Sequence, residues 1–174
     1  MTLAETALPP SQGARALLIA AASIVILATV WILQGFGYAP CELCLTQRYA
    51  FYAAAPLALL TALLANRSAH GLARAGFALL ALVFAANAGL AAYHAGVEYH
   101  WWAGPTACTG GLTGVLDVNN LVNALNSVKV VRCDEVQLRI AGLSLAAWNV
   151  VASTVLAAYA ALAAQAVEGL PKRP

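Results

Sequence analysis

Four long apolar stretches of this chain carry no Asp, Glu, Lys or Arg: residues 16–41, 49–66, 75–97 and 140–167, of 26, 18, 23 and 28 residues. A helix that crosses the hydrocarbon core of a bilayer needs about 20 mostly apolar residues. Lipid offers no partner to an open N–H or C=O, so runs of this length must close their own hydrogen bonds as helices. Nothing alternates with period two over segments of roughly ten residues, as a membrane-barrel strand requires. The expectation is an all-α integral membrane protein, a four-helix transmembrane bundle in one domain, 1–174. Its crossings are expected near Leu17–Gly35, Tyr49–Ala65, Gly76–Tyr93 and Leu143–Ala164. The first run exceeds the roughly 7–15-residue apolar core of a signal peptide and is expected to stay in the membrane.

Composition excludes other classes. Hydrophobic residues make up 62% of the chain and charged residues 9%, against about 25% charged in a soluble domain. Disorder needs the opposite balance. A net charge of +2 without a basic run gives nucleic acid nothing to bind.

Four crossings put both termini on one face and the loops of about 36–48 and 94–142 on the other. Arg15, Arg67, Arg74, Lys172 and Arg173 then share the side of the termini, for a net +3 with Glu5 and Glu168. The opposite loops carry a net −1. Basic residues favour the cytoplasm, so cytoplasmic termini and two periplasmic loops are expected.

All four cysteines fall in those two outer loops: Cys41 and Cys44 in the first, Cys108 and Cys133 in the second. An oxidising compartment is where disulfides persist. Three readings compete: structural staples, a four-thiolate metal site, and a dithiol–disulfide relay. A bridge across Cys-x-x-Cys closes too small a loop to remove much chain entropy, and such pairs are usually redox-active. Zinc sites commonly repeat the short spacing, whereas the second pair here is widely separated. No metal is expected, and the relay is preferred.

The first pair has a setting for thiol chemistry. Pro40 biases the chain toward a helix start, so Cys44 is expected near a helix N-terminus, where orphan N–H groups favour an anion. Arg48 lies one turn further on the same face. An Arg at the membrane boundary needs a partner or a path to the headgroups. In the second loop, Leu116 to Asn126 reads as a short interfacial amphipathic helix. Tyr99, Trp101 and Trp102 read as interfacial anchors. The small residues around Cys108 leave it within reach of a soluble protein.

The run Pro40-Cys41-Glu42-Leu43-Cys44 with Gln47-Arg48, the later separated pair, and Arg132-Cys133-Asp134-Glu135 leading to Gly142-Leu143-Ser144 together resemble the disulfide bond formation protein B (DsbB) family, from about Leu17 to Ala164. The resemblance implies a bacterial inner-membrane enzyme. Such an enzyme reoxidises a periplasmic DsbA-like thioredoxin-fold dithiol oxidase and passes the electrons to ubiquinone or menaquinone. It implies that Cys108 forms the mixed disulfide with the partner and that Cys133 is its loop mate. Cys41 exchanges with that pair, Cys44 faces the quinone as a thiolate, and Arg48 binds the quinone. A His near the outer end of the third helix is frequent in the family. His94 is the candidate here, with a plain interfacial His as its alternative. Two rival readings are a vitamin K epoxide reductase-like quinone enzyme, whose Cys-x-x-Cys tends to come late in the chain, and a non-catalytic scaffold braced by disulfides.

Overall fold

The computed structural model describes residues 11–105 and 131–168. Four helices dominate: α1 (Gln12–Gly35), α2 (Glu42–Asn66), α3 (His70–Glu98) and α4 (Leu145–Glu168). Each holds a stretch long and apolar enough to cross a membrane, and 28% of each such stretch is buried. The remaining apolar surface, with Leu18, Val25, Leu63, Leu82, Val155 and Leu162 exposed, suits a lipid solvent. The chain is a four-helix transmembrane bundle.

Small residues let the helices approach closely. Ala16, Ala54, Ala58 and Ala160 are fully buried, and Phe77, Leu80 and Phe84 fill the space between them. Phe51 of α2 meets Phe84 of α3 at 5.7 Å between ring centroids. The closest associations pair α1 with α2 and α3 with α4.

The helices extend beyond the expected membrane crossings at three ends. α2 begins at Glu42, just after Pro40, and so starts ahead of the crossing expected from Tyr49. α3 continues to Glu98, so His94 stands inside a helix instead of opening the second loop. α1 starts at Gln12, where the Ser11 hydroxyl accepts the Ala14 N–H at 3.2 Å. The physical reason is common to all three. An uncharged run marks where hydrocarbon excludes charge, whereas a helix continues wherever its ends are satisfied. Glu42 in the first turn of α2 faces the positive end of the helix dipole.

After α3 the chain turns back on itself. His100 adopts a left-handed φ of 59°, and the Trp101 N–H returns to the Gly96 carbonyl at 2.9 Å. Trp102 lies along α3, stacked on Tyr93 at 6.0 Å and donating its indole N–H to the Tyr93 carbonyl. Only a glycine fits beneath it, because a Cβ at Gly96 would collide with the indole. Trp102 is therefore held by its own helix, and Trp101 is the most exposed of the three expected anchors.

Before α4, Arg139–Ile140 (β1) and Leu143–Ser144 (β2) form a two-stranded antiparallel hairpin. Its central residues, Ala141 and Gly142, have φ of 50° and 83°, as a tight primed turn demands. The hairpin delivers Ser144 to the start of α4, where its hydroxyl accepts the Ala147 N–H at 3.1 Å. This small hairpin adds to the expected all-α architecture. The interfacial helix expected over Leu116–Asn126 lies outside the described residues, as does Cys108.

Candidate active site

The early start of α2 decides the local chemistry of the first cysteine pair. Cys41, not Cys44, is the N-cap, and its Sγ accepts the Cys44 backbone N–H at 3.3 Å. The two sulfurs lie 3.0 Å apart, and both residues are free thiols. His94 of α3 brings its Nε2 to 3.6 Å from the Cys41 sulfur. Cys41 thus gathers the helix N-terminus, the neighbouring thiol and an imidazole. Its thiol is held at about 4, chiefly by the hydrogen bond with Cys44 and then by His94, against the opposing effect of burial. Cys44 lies in the first turn of α2, near a helix N-terminus as expected, and the two sulfurs are close enough to share one negative charge between them.

Cys133 is 1% exposed and packs in one apolar cluster with Cys41, Leu43 and Val97, with Cys44 against it. The residue is disulfide-bonded, and its partner lies outside the described residues. Arg132 beside it is engaged with Asp134 at 2.7 Å and Glu135 at 3.6 Å, so the local charges largely offset one another. Three of the four cysteines are therefore brought together at one end of the bundle.

A cavity of about 350 Å³ opens beside the sulfurs. Its apolar wall includes Ile26, Leu27 and Val30 of α1, Phe51 of α2 and Trp148 of α4. Its polar lining includes Cys41, Cys44, Gln47, Arg48, His94 and Glu98, with Arg132 and Glu135 also on its wall. Arg48 is 9% exposed. Its Nη1 donates to Gln34 Oε1 at 2.9 Å, and its guanidinium carbon lies 5.7 Å from the Trp31 ring centroid. Trp31 is in turn fixed by donating to the Tyr52 hydroxyl at 2.8 Å. Among the described residues, no carboxylate pairs with Arg48. A buried cation held by neutral partners leaves its charge for an anion in the cavity.

Several of these residues carry no signal in the Cys-x-x-Cys motif. Gln34, Trp31 and Tyr52 fix Arg48. Glu98 lines the cavity with its Oε2 buried and without a hydrogen-bond partner among the described residues. Asn87, Asn149 and Ser153 form hydrogen bonds between α3 and α4. A polar residue inside an apolar run is the signal that would have found the last three. The ligand atoms of Cys41, Cys44 and His94 lie within 4.8 Å of one another, so three donors for a soft metal are present. An ion there would occupy the sulfurs that exchange chemistry requires.

Comparison with known proteins bears on this geometry. The sequence model of the family described as disulfide bond formation protein DsbB matches residues 12–163. The chain belongs to the DsbB family. It is thus a multi-span membrane oxidoreductase of disulfide bond formation, and the vitamin K epoxide reductase-like alternative falls away. A DsbB relative, the disulfide bond formation protein B of Herminiimonas arsenicoxydans, is 32% identical over 153 residues, covering 81% of this chain and 87% of that protein. No solved structure matches the chain significantly.

Proposed function

We propose that this DsbB-family protein reoxidises a soluble thioredoxin-fold dithiol partner in the periplasm and delivers the electrons to a membrane quinone. The observation that carries this reading is the shared cavity of Cys44 and Arg48, with an apolar wall and a buried guanidinium that pairs with no carboxylate among the described residues. Ligand sites of this kind are mostly apolar with a few convergent polar groups. A flat ring with an apolar tail fits such walls, and the Arg48 guanidinium suits its oxygens. When bound, a quinone supplies an acceptor for two electrons and two protons.

The steps assigned to the chain's own residues balance as thiol–disulfide exchange. A partner thiolate attacks Cys108 of a Cys108–Cys133 disulfide, and the second partner thiol then releases Cys108, leaving partner disulfide and loop dithiol. Cys133 attacks Cys41 of an oxidised Cys41–Cys44 pair, and Cys108 closes the loop disulfide again, leaving Cys41 and Cys44 reduced. Each transfer moves two electrons, and the thiolate is the attacking form throughout. The packing of Cys133 against Cys41 supports the second transfer. The low value of the Cys41 thiol makes it a good leaving group when Cys108 attacks Cys133 and releases Cys41 from the Cys133–Cys41 bridge. Cys44 then faces the cavity, where Arg48 stabilises negative charge as it develops. Both termini are assigned to the cytoplasm and the cysteine-bearing end to the periplasm of a bacterial inner membrane, on the distribution of basic residues.

The test is quinone reduction by purified protein supplied with reduced partner, with Cys44→Ala alongside. Turnover in the parent and its loss in the variant is the expected result. Undiminished turnover in Cys44→Ala overturns the assignment of Cys44 to the quinone step.

A further inference from the structure

The buried polar side chains between α2, α3 and α4 form one string that ends at the Cys41 sulfur. Asn87 Nδ2 donates to Ser153 Oγ at 2.9 Å and reaches Asn149 Oδ1 at 3.4 Å. Ser153 Oγ donates to the same Asn149 Oδ1 at 3.0 Å. With its oxygen taken, Asn149 presents Nδ2 to Gln47 Oε1, 2.5 Å away. Gln47 then has only its Nε2 hydrogens to offer His94 Nδ1, at 2.9 Å. Gln47, Asn87, His94 and Ser153 are each at most 4% exposed and Asn149 is half-buried, so water has little access to the Gln47–His94 end of the string.

An imidazole nitrogen that accepts a hydrogen bond carries no proton, so in the neutral ring the proton sits on the other nitrogen. Here that nitrogen is Nε2, which faces Cys41 Sγ at 3.6 Å. A string of amides satisfies its bonds equally well in the reverse sense, and only its end chooses. This end offers the Cys41 sulfur, which as a thiolate accepts and so calls for an N–H.

We propose that Gln47 and Asn149 are positioning residues that lock neutral His94 with its proton on Nε2, aimed at the Cys41 sulfur. The proposal rests on the reading of Cys41 as the exchanging sulfur of the first pair. Each donor in the string points toward that sulfur, so the ring donates to the thiolate and does not withdraw its proton. Asn149 never touches the reacting atoms, yet its amide orientation passes through Gln47 to the ring.

Nitrogen-15 NMR of reduced, full-length protein labelled at histidine tests this. The chain has 3 histidines, and His94→Gln identifies the relevant pair of signals. Wild type is expected to show Nε2 protonated and Nδ1 bare. Asn149→Asp substitutes an acceptor of the same shape, so Gln47 must turn its amide and Nδ1 gains a proton. Gln47→Leu removes the lock, so both ring nitrogens become partly protonated. Alkylation of Cys41 then slows by up to roughly tenfold, as for loss of a hydrogen bond to a charged acceptor. If Asn149→Asp fails to fold, the Gln47→Leu spectrum still decides. A wild-type ring with Nδ1 protonated, or the wild-type pattern persisting in the folded variants, overturns the proposal. Loss of quinone turnover in the parent would defeat the functional reading and leave this ring assignment standing.

Discussion

His94 holds its Nε2 3.6 Å from the sulfur of Cys41, although the two residues are 53 positions apart and belong to different segments. The contact turns a helix cap into a reactive centre. A cap sulfur alone would be an unusually exposed acceptor, whereas here it is 4% exposed and surrounded by donors.

The pH dependence of Cys41 follows from that setting. Its thiol lies at about 4, against 9.0 for the ordinary group. A folded-state value below the unfolded one stabilises the folded dithiol form. That stabilisation is complete above pH 9.0, declines between 9.0 and about 4, and is absent below about 4. Alkylation of Cys41 in the reduced protein, followed by mass spectrometry, should therefore rise through an apparent value near the acidic end of that window. In His94→Phe the midpoint should move upward. A wild-type midpoint near 9.0 would contradict the assigned contacts.

Arg48 should matter more for quinone use than for folding. Arg48→Ala removes the buried cation of the cavity wall together with its bond to Gln34. A hydrogen bond to a charged group is worth about 1.5–3 kcal/mol, so KM for quinone should rise at least about tenfold. Exchange between the two cysteine pairs should continue at close to its parent rate. Arg48→Lys should recover part of the loss, because a lysine keeps the charge but cannot reproduce the planar stack on Trp31. Unchanged quinone kinetics in Arg48→Ala would remove Arg48 from the site.

Gly96→Val tests the packing at the outer end of α3. The added side chain would occupy the space of the Trp102 indole. Overpacking of this kind costs about 1–3 kcal/mol. A lower Tm in detergent and greater exposure in Trp fluorescence are expected. An unchanged Tm would show that Trp102 does not lie against Gly96.

The bundle was legible in the sequence because hydrocarbon imposes a rule that charge placement records. The end of the bundle was less legible, since helices continue past the hydrocarbon boundary wherever their ends are capped. The helix start just after Pro40 was legible from the proline, whereas the approach of His94 to the cap sulfur of Cys41 was not, because it depends on how α3 packs. The cysteines and Arg48 stood out by residue type and spacing. Gln47 and Asn149, 102 positions apart, did not. Their meeting is a product of tertiary packing between α2 and α4, and no local periodicity encodes it. Glu98 was assigned to a loop by its charge, although it lies in the last turn of α3 and lines the cavity.

The central claim is that electrons pass from a soluble dithiol through the protein to a quinone. Its most direct test is stoichiometry in a single mixture of purified protein, reduced thioredoxin-fold partner and either ubiquinone or menaquinone. Quinol is measured by absorbance and partner disulfide by thiol trapping. One partner disulfide formed per quinol, over many turnovers, is the predicted result. Partner oxidation that stops after a single equivalent of protein disulfide, with no quinol from either quinone, would contradict the account.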